Sequence, residues 1–483
     1  MDFSKVTSFM DRIWDDEIIP ALTDYIRIPN KSPAFDKDWQ AHGHMEKATQ
    51  MFAAWANKKL PAFAGAKLEI VRLEGRTPLI FIEVPGDAGA SAKAGATNKE
   101  ATVLMYGHLD KQPEMTGWAD GLGPWQPVVK DGKLYGRGGA DDGYALFASL
   151  AALLALKQQD AKRARTVIII EAGEESGSPD LPFYIDHLAS RIGTPDLVVC
   201  LDSGCGNYDQ LWLTTSLRGN LIGALTVKVL TEGVHSGAAS GIVPSSFRIL
   251  RMLLSRIEDE ATGHMKLPEL FAEIPQERQK QAREAAAILG DEVWQGAPFA
   301  GHTKPMAEGN AELILEKTWR PQLAVTAMDG YPLPANGGNV LLPYSTAKLS
   351  LRLPPTVESE VARTALKKVL EASPPYDADV TFDGPHGDNG WNAPTLAPWL
   401  EASLNKASNN AFGAPVAYQG EGGSIPFMAM LGEKFPKTQF VVTGVLGPHS
   451  NAHGPNEFLH IAFAKKLSAC IAAVLADHAL QTS

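Results

Sequence analysis

Val103-Leu104-Met105-Tyr106-Gly107-His108-Leu109-Asp110 decides how the rest of this chain is read. The apolar run over 102–106 predicts a buried strand. It stops at Gly107, and a histidine and an aspartate follow two residues apart. In open α/β sheets, ligands bind beyond the carboxyl ends of the strands. His108 therefore stands where chemistry is usually done, and Asp110 has the residue type that orients a metal-bound imidazole from behind. Alone, a His-x-Asp after a strand is most often a surface turn. Its weight comes from what the other strand ends carry.

Working outward, residues 166–170 form a β-branched run that leads into Glu171-Ala172-Gly173-Glu174-Glu175-Ser176-Gly177-Ser178. A further apolar run, 197–201, ends in Asp202. Between them in the chain, Gly136-Arg137-Gly138-Gly139-Ala140-Asp141-Asp142-Gly143 precedes an apolar helix expected over 144–156. A plain N-cap would explain the two aspartates equally well. Adjacent glutamates at a strand end, however, repel each other unless cations or solvent absorb the charge. His108, Asp141, Glu174, Glu175 and Asp202 together make a carboxylate-rich site that needs a cation. Imidazole with carboxylates suits zinc or a similar divalent ion.

The bulk properties set limits. A chain of 483 residues exceeds one ordinary core, so two or more domains are expected. With 45% hydrophobic and 20% charged residues, the composition is that of a globular protein. A net charge of −11 argues against a general nucleic-acid or anionic-membrane partner, since both need a basic face. Cys200, Cys205 and Cys470 are too few for a disulfide framework, which fits a reducing compartment. The first thirty or so residues lack the apolar core of a leader, and no apolar run of about 18 residues is evident. A cytoplasmic location and no membrane span are the expectations.

In chain order, helices are predicted over 3–28 and 45–60, strands over 66–73 and 79–84, and a flexible loop over 86–99. Asp131-Gly132 predicts a hairpin over 128–134. After Leu217-Arg218-Gly219 the character changes. An alternating strand over 220–230, a helix over 244–258, a strand near 323–328, a strand over 346–353, a helix over 357–371 and a strand over 378–382 fit a ferredoxin-like split βαβ module. The polar helical stretch 267–294 reads as a solvated elaboration. From about His386 the first domain resumes, with a helix over 398–407, a strand over 439–443 and a last helix over 459–475. The expected fold is α/β. A mixed, mostly parallel sheet with helices on both faces spans 1–216 and 386–483, and an α+β lid or dimerisation domain is inserted over 217–385.

Taken in order, Gly107-His108-Leu109-Asp110, Gly132-Lys133-Leu134-Tyr135-Gly136-Arg137-Gly138, Asp141-Asp142, Glu174-Glu175-Ser176-Gly177-Ser178, Val234-His235-Ser236-Gly237, Glu421-Gly422-Gly423-Ser424-Ile425-Pro426 and Ala452-His453 with Asn456-Glu457 resemble one family. It is the M20 dinuclear zinc metallopeptidases, in their carnosinase-like dipeptidase and carboxypeptidase branch. Each motif is weak alone, and the ordered set is specific. The resemblance implies two divalent ions per subunit, zinc first, with manganese or cobalt as alternatives. Asp141 would bridge them, His108 and Asp202 would complete one, and Glu175 and His453 the other. Asp110 would hold His108, and Glu174 would be the general base. Arg352 matches the residue that grips the substrate's terminal carboxylate. His235 matches one that reaches a neighbouring subunit's site to stabilise the oxyanion, and Asn339 a contact across the same dimer interface. Gly422, Gly423 and Ser424 could offer backbone N–H groups and a hydroxyl to the same carboxylate.

Two metals can activate a shared water and polarise the scissile carbonyl, while Glu174 takes the water's proton and passes it to the leaving amine. The expected activity is hydrolysis of the peptide bond in dipeptides or short peptides with a free C-terminal carboxylate, by a homodimer formed through the inserted domain. Removal of an N-acyl group from an amino acid or amine would use the same site. A non-catalytic binding protein on the same fold would have lost a ligand or Glu174, and neither is lost here. Many relatives carry lysine after the paired aspartates, whereas this chain has Gly143-Tyr144, and Ser203-Gly204-Cys205-Gly206 beside Asp202 is an uncommon variant. Both departures bear on the substrate more than on the metals.

Overall fold

A computed structural model of the chain describes residues 1–87 and 101–481. The loop expected over 86–99 lies, beyond residue 87, outside the described residues. The chain divides into two compact units: Met1–Thr214 with Ala393–Gln419 and Met430–Ser483, and Thr215–Asn392 with Gly420–Ala429. The glycine-rich segment Gly420–Ala429, which the sequence-based limits left in the first domain, thus groups with the second unit.

The first unit is built on a six-stranded sheet ordered Lys67–Val71, Leu79–Val84, Arg165–Glu171, Thr102–His108, Leu197–Cys200, Gln439–Val442. The last four strands are mutually parallel, and the first two join antiparallel. Every residue of Thr102–His108 is buried, as a central strand covered on both faces requires. Register places the functional strand ends side by side. His108 pairs with Glu171, three residues before Glu174, and Tyr106 pairs with Cys200, two before Asp202.

The helix Ala145–Gln158 is apolar around its circumference and almost wholly buried. Together with the turn before it, Gly139–Gln158 is by length and mean hydropathy, 1.3, apolar enough to cross a membrane, although Asp141, Asp142 and Lys157 interrupt it. It is 94% buried inside the protein, as a core helix is. Gly107 allows it to come close: a Cβ there would lie 2.4 Å from Ala145 Cβ and 2.6 Å from Asp142 Oδ2. The predicted N-terminal helix runs as Phe3–Ile13 and Ile19–Ile26 with a π turn, Trp14–Ile18, between them. Pro20 has no N–H to offer the preceding turn, which accounts for the irregularity.

The second unit carries a four-stranded antiparallel sheet ordered Gln322–Asp329, Tyr344–Leu353, Gly219–Lys228, Asp379–Asp388. With helices Ser246–Ile257 and Ser359–Glu371 the chain order is β-α-β-β-α-β, the split βαβ arrangement. Alternation puts Leu221, Leu225, Val227, Leu349 and Leu351 into one core with Ile249, Leu253, Leu366 and Leu370 of the helices. The stretch read as a solvated elaboration is instead amphipathic. Its helix Gln276–Leu289 buries Arg278, Gln281, Ala282 and Ala285, and Arg278 Nε donates to Asn392 Oδ1 at 2.9 Å. Polar residues that bond across a packed face defeat a reading based on polarity alone.

Candidate metal centre and active site

Five strand or loop ends of the first unit bring His108, Asp110, Asp141, Asp142, Glu174, Glu175, Asp202 and His453 into one cluster. Asp141 is its middle. Its Oδ1 lies 3.3 Å from His108 Nε2, and its Oδ2 lies 3.1 Å from His453 Nε2. A separate carboxylate completes each side: Asp202 Oδ1 is 3.6 Å from His108 Nε2, and Glu175 Oε2 is 3.4 Å from His453 Nε2. All four separations exceed the 2.7–2.9 Å of a charge-assisted hydrogen bond. Two atoms each about 2.0–2.1 Å from a tetrahedral ion are themselves about 3.3–3.4 Å apart. The donor set, imidazole nitrogens with carboxylate oxygens around a shared aspartate, therefore fits two divalent ions. In addition, the triads His108–Asp141–Glu175 and His108–Asp142–Asp202 each hold one ligand atom per residue within 4.8 Å of the others.

The surroundings fix these side chains. Asp110, fully buried, lies behind His108, with Oδ1 3.5 Å from Nδ1 and its backbone oxygen 3.1 Å from the same nitrogen. Its carboxylate also accepts the backbone N–H groups of Glu174 and Glu175 at 3.1 and 3.0 Å, so one residue aligns both glutamates with the imidazole. Asp142 accepts the His108 N–H through Oδ2 at 3.2 Å, and its Oδ1 is buried without a hydrogen-bond partner among the described residues. Gln112 donates its amide to Glu175 Oε2. Lys111, also fully buried, donates to the Tyr25 and Ile28 carbonyls at 2.9 and 2.7 Å and pins the loop after His108 to the first helix. Gln112 and Lys111 were not legible as functional, since an amide and a lysine after a metal-site motif carry no signal of their own.

The electrostatics are those of crowded carboxylates. Burial pushes the Glu174 carboxyl well up, and Asp202 adds to it; burial and Asp141 do the same to Glu175. Burial opposes charge on His108, but the Asp202, Asp110 and Asp141 carboxylates together raise its pKa well above the usual value. Among the described residues, no hydrogen bond reaches the Glu174 carboxylate.

In the second unit, Arg352 Nη1 reaches Ser424 Oγ at 3.4 Å, and that hydroxyl donates to the Arg218 carbonyl at 2.6 Å. Ser424 has thus spent its one proton. The Gly422 carbonyl accepts from Arg218 Nε at 3.2 Å and the Gly423 carbonyl from Arg218 N–H at 3.1 Å. These two carbonyls hold Arg218 in place beside the glycine-rich turn. Burial lowers the Arg218 pKa to about 10, helped by the neighbouring Arg352 charge. Arg218, noted in the sequence only as a change of character, is the second cation beside Arg352. His235 lies in a two-stranded ribbon, Val234–His235 against Val340–Leu341, and Asn339 immediately precedes the second strand, with the Ser236 N–H donating to the Asn339 carbonyl at 2.9 Å. Both residues are exposed.

Residues 104–477 match the Peptidase family M20/M25/M40. The chain belongs to that family. Among curated relatives of this M20 chain, the cysteinylglycine-S-conjugate dipeptidase of Corynebacterium striatum is 24% identical over 92% of the chain and 96% of its own length. The Beta-Ala-His dipeptidase of Mus musculus is 27% identical over 76% of the chain and 73% of its own length. Among solved structures, the di-peptidase Dug1p of Saccharomyces cerevisiae superposes with a TM-score of 0.78 at 20% identity, covering 99% of both chains. The mixed α/β fold with its mostly parallel sheet is that of the M20 dipeptidase structures, and the chain is an M20-type metallopeptidase.

Proposed function

We propose that this M20 enzyme is a dipeptidase that hydrolyses dipeptides or short peptides bearing a free C-terminal carboxylate. One observation carries the reading: the two oxygens of Asp141 face two different imidazoles at 3.3 and 3.1 Å, each with its own second carboxylate. His108, Asp141 and Asp202 would hold one divalent ion, and Asp141, Glu175 and His453 the other, with zinc the first choice for this donor set. When bound, such a pair lowers the pKa of water and polarises the scissile carbonyl. Glu174 takes the water's proton on its carboxylate and returns it to the leaving amine. Asp110 keeps Glu174, Glu175 and His108 in mutual register throughout. Arg352 grips the terminal carboxylate with a planar fork that lysine does not copy. His235, from the second subunit of a homodimer, donates to the developing oxyanion. Its place on an exposed ribbon, beside Asn339, supports a role toward a partner. The names of the Corynebacterium and mouse relatives, both dipeptidases, support the substrate class.

The test is turnover on a panel of dipeptides against N-acetyl and N-succinyl amino acids, with metal content measured on the same sample. Dipeptides are expected to turn over. Turnover of acyl amino acids alone would move the chain to the deacylases. Glu174→Gln is expected to keep its metal and lose about 10²–10⁴-fold in kcat; near-full activity would show that the base is misassigned.

A further inference from the structure

The two halves of the cluster are held in different ways. The His108 and Asp202 half sits on the ends of two adjacent parallel strands, and the Asp142 carboxylate ties down the His108 backbone from the side. His453 has no strand beneath it. It lies in the loop His449-Ser450-Asn451-Ala452-His453-Gly454-Pro455-Asn456-Glu457, where four non-glycine residues, His449, Asn451, His453 and Asn456, have φ of 64°, 53°, 65° and 61°. That is the left-handed region, which non-glycine residues enter sparingly, Asn and His more readily than most, so four such residues in one short loop point to support from its surroundings. The loop has bonds of its own, from Asn451 Nδ2 to the Pro455 carbonyl and from the Gly454 N–H to the Asn451 carbonyl, but these do not anchor it to the Asp141 loop.

The holding group is an ion pair. Arg137 Nη1 meets Glu457 Oε2 at 2.7 Å, and both side chains are buried, at 1% and 0% exposure. The other oxygen of Glu457 accepts the Gly138 N–H at 2.9 Å. Arg137 Nη2 donates to the Gly454 carbonyl at 2.7 Å, one residue from His453, and Nε to the Pro113 carbonyl at 3.2 Å. Arg137 precedes Asp141 by four residues, and Glu457 follows His453 by four. The pair thus spans the two loops that carry the shared aspartate and the second imidazole. Gly136 N–H to the Glu457 carbonyl, at 3.0 Å, closes the same junction.

We propose that Arg137 and Glu457 are positioning residues that latch the His453 loop onto the Asp141 loop, so that the ion on the His453 and Glu175 side depends on them and the ion on the His108 and Asp202 side does not. The proposal rests on the two-ion reading above. Groups that support metal ligands from behind typically change affinity 10–100-fold when removed. Here that loss falls on one site of two.

The experiment is equilibrium titration of the metal-free full chain with Zn²⁺ against a competing chelator, giving two stoichiometric constants, for the wild type, Glu457→Gln and Arg137→Met/Glu457→Met. The double variant leaves no unpaired buried charge and so guards against loss of the fold in the single one. Expected are two ions in the wild type and, in both variants, one constant weakened 10–100-fold with the other within about threefold of the wild type. Two unchanged constants would overturn the latch, and so would an equal weakening of both, which is what a merely structural role gives. A wild type that takes up no Zn²⁺ would instead remove the two-ion reading itself.

Discussion

The acidic cluster of the first unit and the arginine pair of the second are opposite solutions to one problem. Asp141, Asp142, Glu174, Glu175 and Asp202 crowd around two imidazoles, and burial and mutual repulsion push Glu174 and Glu175 up. Arg218, 8% exposed, lies beside Arg352 with backbone carbonyls for partners, and among the described residues neither guanidinium is in an ion pair. Burying like charges together is costly in both places. Each region thus concentrates charge of one sign, negative in the first unit and positive in the second, where Asp388 partly offsets Arg352. On the proposed function, that sign separates the region that would hold metal from the one that would hold the substrate's carboxylate.

The largest effect expected from that contrast is on stability. A ligand that binds only the folded chain adds about 4 kcal/mol at a thousandfold excess over its Kd. Metal-free protein should accordingly melt well below the Zn²⁺-loaded protein. Asp141→Asn, which weakens the shared ligand of both ions, should erase most of the Zn²⁺-dependent rise in Tm, while Arg218→Met should leave it intact. Calorimetry with and without added Zn²⁺ checks this, and an undiminished rise in Asp141→Asn would show that the ions, if bound, do not share that residue.

The arginine side should respond in KM. Hydrogen bonds between charged groups contribute about 1.5–3 kcal/mol, so Arg352→Met should raise KM for a dipeptide by about 10–100-fold, with little change for the corresponding C-terminal amide. Arg352→Lys should not restore it. Arg218→Met should cost less, because the Arg218 Nε and Nη1 are already spent on the Gly422 and Arg320 carbonyls at 3.2 and 3.5 Å. Equal KM values for acid and amide in the wild type would remove the carboxylate from the account.

Much of this was legible because strands announce their ends. The apolar runs before His108, Glu174 and Asp202 stop where the side chains change from apolar to ligating, and parallel pairing then sets those ends at one edge. The split βαβ unit was readable from alternation in the same way. What escaped is held by long-range pairing between residues of unremarkable type. Arg137 and Glu457 are 320 residues apart, and although both stand in the quoted motifs, nothing in the sequence pairs them. Arg218 binds carbonyls of a segment about 200 residues away, and a backbone acceptor leaves no mark in the sequence. The helix Gln276–Leu289 was misread because its buried face is partly polar.

The smallest effect concerns a buried imidazole outside either region. His108 is surrounded by carboxylates, whereas His478, 2% exposed in the last helix Ile461–Gln481, has among the described residues no hydrogen-bond partner for either ring nitrogen and packs 5.7 Å from the Trp399 ring. Burial holds its pKa below the usual histidine value, with Asp196 only partly opposing. The unfolded chain therefore takes up a proton at His478 before the folded chain does. The stability tied to a neutral ring is complete above the unfolded pKa near 6.5 and is lost as pH falls below it, by at most about 1.4 kcal/mol per pH unit. His478→Leu should remove that contribution. Its stability at pH 7.5 should be within about 1 kcal/mol of the wild type, since an unpaired buried polar group is itself a cost. Between pH 7.5 and 5.5 it should lose less stability than the wild type does. Urea unfolding at the two pH values measures the difference, and parallel losses in the two proteins would show that the ring is charged, and hence partnered, in the folded state.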